Sequence, residues 1–508
     1  MAGRAKNASR NILFGLILKI YQIAAPFLTR TLMIKYMSIE YTGLSGLFTS
    51  VLQMLNLAEL GVGSAMIYSM YKPIAEHNTN KIRILMNTYK KYYRIVGAAI
   101  AIIGLALTPF IPYLIKGNPV PELNIYTLYL ISLAATVMSY WMFAYKSSIL
   151  QAHQRNDIIS KINIISSTIL YLIQISSIIA FKNYYLFITA TLVSQIITNI
   201  IVAIVSRKLY PEYSPKGELS EKEKIEINGR IKDLFTAKIG GTIVNSADTL
   251  VISAFLGLTT LTIYQNYFYI ITALNGLLSV FYSATIAGIG NSIITESKEK
   301  NYKDLQKFTF IIMWIVGFCS ICLLCLYQPF IKLWVGEDLM LGVPAVICLS
   351  VYFFIYHFNQ LMCTYKDAAG IWHKDRFRPL ATALTNFVLN IISVQFIGIY
   401  GVILSTVISY MFIGSPWLIK NLFSTVLNIS GMPKYIKDIL GYTLTTAFLA
   451  AISFFITQIF HSNAIIQLIA GGIACAIVIN VGYLVLYRKT DNFRQSKQLI
   501  LKIIKGKA

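Results

Sequence analysis

Apolar residues in this chain run in long stretches, with charged residues gathered between them. About fourteen such stretches lie near 11–36, 42–69, 92–115, 125–145, 160–181, 184–206, 234–256, 262–293, 308–331, 341–363, 379–397, 400–420, 438–460 and 464–487. As helices they are long enough to cross ~30 Å of hydrocarbon, and a helix satisfies its own backbone there. The pattern predicts an all-α polytopic membrane protein with about 14 transmembrane helices. Arg4, Lys6 and Arg10 precede the first stretch as in a signal peptide. The stretch is too long for a signal core and lacks a clear A-x-A site, so it reads as a retained first helix.

Composition agrees. Of 508 residues, 56% are hydrophobic and 13% charged, where soluble domains carry about 25% charged residues. With the N-terminus inside, about 38 of the 44 Lys and Arg fall in loops and tails on that side. Lys35, Lys116, Lys182 and Lys332 fall on the other side, and Lys19 and Arg30 lie within the first helix. The net charge of +23 is thus mostly a positive-inside bias, which places both termini in the cytoplasm and leaves nucleic-acid binding without support. The basic tail from Arg488 to Lys507 is suited to contact with anionic membrane lipids. The longest polar piece, 207–233, mixes charges with Pro and Gly and reads as a solvated, part-helical connector rather than a domain.

A connector in mid-chain invites a search for duplication. At a shift of 220 residues, Val96-Gly97 meets Val316-Gly317, and Pro109-Phe110-Ile111 meets Pro329-Phe330-Ile331. The same shift brings Tyr145-Lys146 and His153 onto Tyr365-Lys366 and His373. Slightly different shifts align Gly61 and Gly63 with Gly288 and Gly290, and 191–194 with 406–409. The features keep one order, which predicts two six-helix lobes, 1–206 and 234–420, joined by the connector 207–233. Two extra helices and a basic cytoplasmic tail occupy 421–508. An even number of helices puts both lobes the same way up, so the repeats are parallel, as in one class of transporter with a substrate path between halves.

Two helices at equivalent places carry polar stripes. In the first, Lys19 and Arg30 are eleven positions apart and about 20° apart around a helix, with Gly15, Gln22 and Pro26 on the same side. In the seventh, Lys238, Thr242, Asn245 and Thr249 share a face, with Asp248 at its edge. Aligning 30–32 with 248–250 puts Arg30 and Asp248 at corresponding sites. Charges at membrane depth face water or partners and mark transport paths. Blander readings stay open: Lys19 as a snorkelling side chain, Arg30 with Asp248 as a structural ion pair, and Glu59 of the second helix as a hydrogen-bond partner instead of a proton or cation carrier.

Other motifs carry less. Cys319, Cys322 and Cys325 form CxxCxxC within an apolar helix and without a fourth ligand, so they read as small filler. All six cysteines lie in apolar segments, which implies no disulfide framework. His77, His153, His373 and His461 show no metal-ligand spacing, and no phosphate loop is present, so neither a metal nor another cofactor is expected. The glycine pairs read as packing or bending points. Many of the 33 tyrosines suit an aromatic belt, and Tyr264 and Tyr267 remain candidates for stacking on sugar.

Residues 30–48 (RTLMIKYMSIEYTGLSGLF), 55–74 (LNLAELGVGSAMIYSMYKPI) and 245–257 (NSADTLVISAFLG) with the later IYQNY resemble the bacterial polysaccharide flippases of the multidrug/oligosaccharidyl-lipid/polysaccharide exporter superfamily. The resemblance runs over essentially the whole chain and is one of pattern and order rather than of a diagnostic motif. It implies a transporter, not an enzyme, in the bacterial cytoplasmic membrane. The cargo would be undecaprenyl-pyrophosphate-linked oligosaccharide, moved from inner to outer leaflet by alternating access, driven by an ion gradient with proton or sodium as coupling ion or by the membrane potential. Lys19, Gln22, Arg30, Lys238 and Asn245 would then bind substrate, with Asp248, Glu59 and Arg30 as gate or coupling groups. Lipid II flippases and multidrug exporters of the same superfamily are the alternatives, the latter usually having acidic cavities. A membrane glycosyltransferase or polymerase fits less well, because the outer loops are short and poor in acids.

Overall fold

The computed structural model describes residues 2–59, 61–117, 121–459 and 463–504, with side chains for all of these except 2–9, 12, 58, 236–238, 245, 500 and 502–504. Every described element is helical. The helices are α1 (Ala2–Tyr36), α2 (Ile39–Leu55), α3 (Val62–Ala75), α4 (Thr79–Leu107), α5 (Ile125–Trp141), α6 (Ser147–Ala152), α7 (Asn156–Ile179), α8 (Tyr184–Leu209) and α9 (Glu221–Leu256). They continue with α10 (Leu258–Thr295), α11 (Lys298–Val335), α12 (Val343–Ala368), α13 (Arg378–Ile397), α14 (Ile399–Ser409), α15 (Ser415–Thr425), α16 (Met432–Gln458), α17 (Ala464–Tyr487) and α18 (Asp491–Ile504). Among the described residues 12 helices are long and apolar enough to cross a membrane, and the pair formed by α5 with Ala144–Ala152, bent by 46°, makes 13. The chain is a multi-pass membrane protein.

The stretch 42–69, expected as one span, is built as α2 and α3 with a 3-10 turn at Asn56–Glu59 between them. Gly61 caps α3 at φ +95°, and a Cβ there would sit 2.7 Å from Leu234 Cβ and 2.9 Å from Ile231 O of α9. A left-handed backbone costs an L-residue about 1–2 kcal/mol before any clash. Gly61→Ala is therefore expected to lower the unfolding temperature of the purified protein clearly. Gly288→Ala, at a helical site with nothing within 4 Å of the added carbon, should leave it unchanged.

Packing divides the chain into two compact units, Met1–Thr262 and Ile263–Ala508. In the first, α1 lies on α7, α7 on α8, α8 on α5, α5 on α4 and α4 on α3, while α9 packs on α2 and α3. The connector is bound along the polar start of α4. Arg83 Nε donates to Glu212 O at 2.6 Å, Asn87 Nδ2 to Gly217 O at 2.8 Å, and Tyr92 OH to Asn228 Oδ1 at 2.8 Å. Its second half is the beginning of α9, where Ser220 and Glu223 form a capping box. The ion pair with Lys81, helped by Ser220, holds the Glu223 carboxyl below its usual range.

In the second unit α11 packs against α12, α16, α17 and α18. Phe310 and Trp314 of α11 meet Tyr483 of α17 and Phe493 of α18 with ring centroids 5.5–6.2 Å apart. Cys322 and Cys325 pack against Cys475 of α17 in the same region. The span 399–425 is interrupted by a π turn at Tyr410–Gly414, just before Pro416 in the first turn of α15. Proline there cannot donate to the preceding turn, and a wider turn absorbs the mismatch.

Candidate functional site

The α1 stripe can be placed by what its opposite face touches. Lys161 Nζ of α7 sits 4.2 Å from the Phe14 ring centroid, and Tyr21 OH donates to Thr168 Oγ1 at 2.9 Å. Phe14 and Tyr21 lie about 120–180° around α1 from Lys19, Pro26 and Arg30. The face that α1 buries against α7 is thus not the cationic face. Lys19 is half-buried and Gln22 exposed. Thr29 is buried, its hydroxyl returned to Ala25 O at 2.8 Å and Pro26 O at 3.3 Å. Arg30 is half-buried, and its Nη2 donates to Thr262 O at 3.1 Å, near the start of α10. Gly43 lets α2 approach the same place: a Cβ there would run into Leu258 O and sit 2.8 Å from Thr262 Oγ1, which itself donates to Ile39 O at 2.9 Å.

On α9, Asp248 and Thr249 are buried and Thr242 is half-buried. Because α9 packs on α2 and α3, Asp248 belongs to the same compact unit as Arg30. The side chains of Lys238 and Asn245 lie outside the described residues.

Glu59 ends the 3-10 turn between α2 and α3, in a small tyrosine cluster. Tyr93 OH donates to Glu59 Oε1 at 3.2 Å, and Tyr89 OH donates to Tyr93 OH at 2.7 Å. The Tyr140 ring meets Tyr93 edge-on at 5.4 Å, and its hydroxyl donates to Asn56 Oδ1 at 3.2 Å. A Cβ on Gly63 would stand 3.0 Å from both Glu59 Oε1 and Tyr89 OH, so glycine admits the cluster. A half-buried carboxylate at a helix break is a group that can take up a proton or a cation. The three tyrosines were invisible in the sequence, since they come from helices α4 and α5. Tyr264 and Tyr267, in contrast, are buried, and Tyr267 OH is engaged with Gln328 Oε1 at 2.9 Å and Leu341 N at 3.0 Å. They are not available here for stacking on a sugar.

The family described as polysaccharide biosynthesis protein matches residues 8–287, more than half of the chain. The chain belongs to that family. No curated protein sequence matches it. Among solved structures it is similar to the lipid II flippase MurJ in an inward closed conformation, at 16% identity and a TM-score of 0.68, over 94% of this chain and 99% of that one. It is also similar to a multidrug resistance MATE family transporter of the MOP superfamily. The inward-facing form gives 16% identity and a TM-score of 0.62, over 82% of this chain and 99% of that one. The outward-facing form gives 15% and 0.56, over 84% and 97%. At these identities the likeness is one of fold, and the fold of the family member described here is that of MurJ and the MATE transporters.

Proposed function

We propose that this protein is a flippase that carries undecaprenyl-pyrophosphate-linked oligosaccharide from the inner to the outer leaflet of a bacterial cytoplasmic membrane, for surface polysaccharide biosynthesis. The observation that carries the reading is the cationic stripe of α1, with Lys19 and Arg30 on a face that α7 does not cover. A pyrophosphate in dry hydrocarbon would meet a desolvation penalty of many kcal/mol. Arg30 and Lys19, with Gln22 and with Lys238 and Asn245 of α9, replace its hydration, Arg being suited to bidentate phosphate contacts. The polyprenyl tail stays in the bilayer while the headgroup crosses. Membership in a polysaccharide biosynthesis family and the transporter fold support this over catalysis of polymerisation.

The cycle is alternating access between the lobes 1–206 and 234–420, with both termini in the cytoplasm and 421–508 supplying two extra helices and a basic cytoplasmic tail. Asp248 competes with the phosphate for Arg30 and serves as gate. Glu59 exchanges a proton or sodium ion. A lipid II flippase is the second reading, favoured by the likeness to MurJ. The test is leaflet translocation in proteoliposomes with fluorescent undecaprenyl-pyrophosphoryl oligosaccharide and, in parallel, lipid II. Preference for the oligosaccharide carrier is expected. Preference for lipid II would install the second reading, and uptake of cationic drugs with no glycolipid movement would remove both.

A further inference from the structure

One ionisable side chain at membrane depth takes no part in the stripe or the Glu59 cluster. His357 of α12 is buried, 1% exposed, fourteen residues after Val343 in a 26-residue helix. Its Nε2 lies 2.9 Å from Asn275 Oδ1 of α10. An amide oxygen only accepts, so Nε2 carries a proton. Tyr282 OH, also on α10, stands 3.1 Å from His357 Nδ1 and 3.1 Å from the backbone carbonyl of the same residue. This geometry serves two protonation states. With neutral imidazole, the Tyr282 hydroxyl donates to Nδ1. With imidazolium, Nδ1 donates to the Tyr282 oxygen, whose hydrogen turns to the His357 carbonyl. Hydrogen bonding alone therefore does not bar the extra proton; whether the enclosed ring can carry it depends on the charges around it.

The surroundings decide when that proton can arrive. The titratable groups near the ring are Tyr282 from α10, Cys319 of α11 beside Tyr282, Tyr356 on α12 itself and Tyr410 from the π turn. All are neutral at ordinary pH. The charged groups lie toward the basic end of α12. Arg378 reaches Cys363, and Asp367 is ten residues beyond His357, about 15 Å along the helix. Lys420 lies five residues past Ser415, which meets Asn359. Enclosed imidazolium would therefore have no carboxylate close by, an unfavourable state, whereas a wetted ring is solvated. Beyond Asn275, α10 is largely uncovered, with Leu277, Ser279, Val280 and Ser283 exposed. Toward its start it is held by Tyr267, through Gln328, Leu341 and Tyr327 OH, which donates to Tyr267 O at 3.0 Å.

We infer that His357 is a proton-binding site that clasps α10 to α12 when neutral and releases it when protonated, so that proton uptake drives the opening of this face of the second unit. The inference rests on the transporter reading only in giving the opening a purpose. The sign follows from the two states. The clasped form excludes the extra proton and is favoured at high pH, and acidification through the ordinary imidazole range near 6.5 shifts the balance to the open form. One proton changes the ratio by at most tenfold per pH unit.

The test is pulsed electron–electron distance measurement on the full chain in lipid nanodiscs, with its six cysteines replaced and spin labels at Ser283 of α10 and Ile315 of α11, both exposed. A single short distance at pH 8 and a growing longer one toward pH 5 are expected. The change should vanish in His357→Gln, which can still donate to Asn275. Where that variant does not fold, Tyr282→Phe carries the test, since losing the hydroxyl removes a hydrogen bond of the clasped neutral form and should move the midpoint to higher pH. Distances in the unsubstituted His357 protein that do not change between pH 8 and pH 5 would overturn the site, as would an unaltered response in both variants. Opening on acidification in a protein that moves no glycolipid would leave the proton site standing and refute the substrate assignment; glycolipid movement without pH-dependent opening would do the reverse.

Discussion

Arg30→Gln is expected to slow translocation of pyrophosphate-linked oligosaccharide about 10- to 150-fold in proteoliposomes. A hydrogen bond to a charged group contributes about 1.5–3 kcal/mol, and each 1.4 kcal/mol is tenfold. Glutamine is the informative replacement because Arg30 has a second engagement, the bond from Nη2 to Thr262 O. A glutamine amide can still donate to that carbonyl while carrying no charge, whereas Arg30→Ala removes both. Arg30→Lys keeps the charge without the planar fork and should lose less than glutamine does. Near-normal transport by the glutamine variant, with loss only in the alanine variant, would make Arg30 a tether between α1 and the start of α10. Asp248→Asn tests the gate in the same vesicles: a loss of similar size, with recovery on exchanging the two charges, is what competition for Arg30 requires. An unaffected Asp248→Asn protein would remove Asp248 from the mechanism.

The membrane helices were legible because hydropathy reports a solvent preference over 20 residues, which local detail does not change. Detail decided the rest. The run 42–69 is predominantly apolar, yet it breaks, because the break is a matter of backbone angle at Gly61 and of α9 pressing against it, neither of which a composition window registers. The fourth helix begins at Thr79 rather than near 92, since Lys81 to Arg94 form helix whose polar side chains bind the connector instead of lipid. For the candidate site, one-helix geometry was enough to show that Lys19 and Arg30 share a face. The cluster at Glu59 was not readable, because Tyr93, which donates to it, and Tyr89 and Tyr140, which meet Tyr93, come from other helices. His357 offered one signal, a lone imidazole in the apolar run FFIYHFNQL, where a buried polar group must have partners. Its meaning depends on two side chains about 80 residues away.

Asp375→Ala is expected to destabilise the second unit by about 3–5 kcal/mol, the range for stripping one partner from a buried ion pair. The loop between α12 and α13 carries several basic residues, but Asp375 and Arg378 are buried, their side chains 4% and 8% exposed. Arg378 Nε and Nη2 meet the two carboxylate oxygens at 2.7 and 2.9 Å, and Lys366 Nζ stands 3.8 Å from Oδ2. Without the carboxylate two cations are left together with little solvent. For a unit of this size that corresponds to a fall in unfolding temperature of roughly 6–20 °C, readable by fluorescence-detected chromatography of heated protein. The first unit supplies the control. Asp157 is as deeply buried and is held by Arg155 at 2.9 and 3.3 Å with Arg10 at 3.7 Å, but those arginines are 27% and 35% exposed. Water can take over their charge, so Asp157→Ala should do less damage. The double variant Asp375→Ala, Arg378→Met should recover part of the loss, because it removes the stranded charge, while Lys366 keeps Asp367 at 2.5 Å. A single variant melting within a degree or two of wild type would mean that water reaches Arg378, and the buried pair would then be a surface pair in solution.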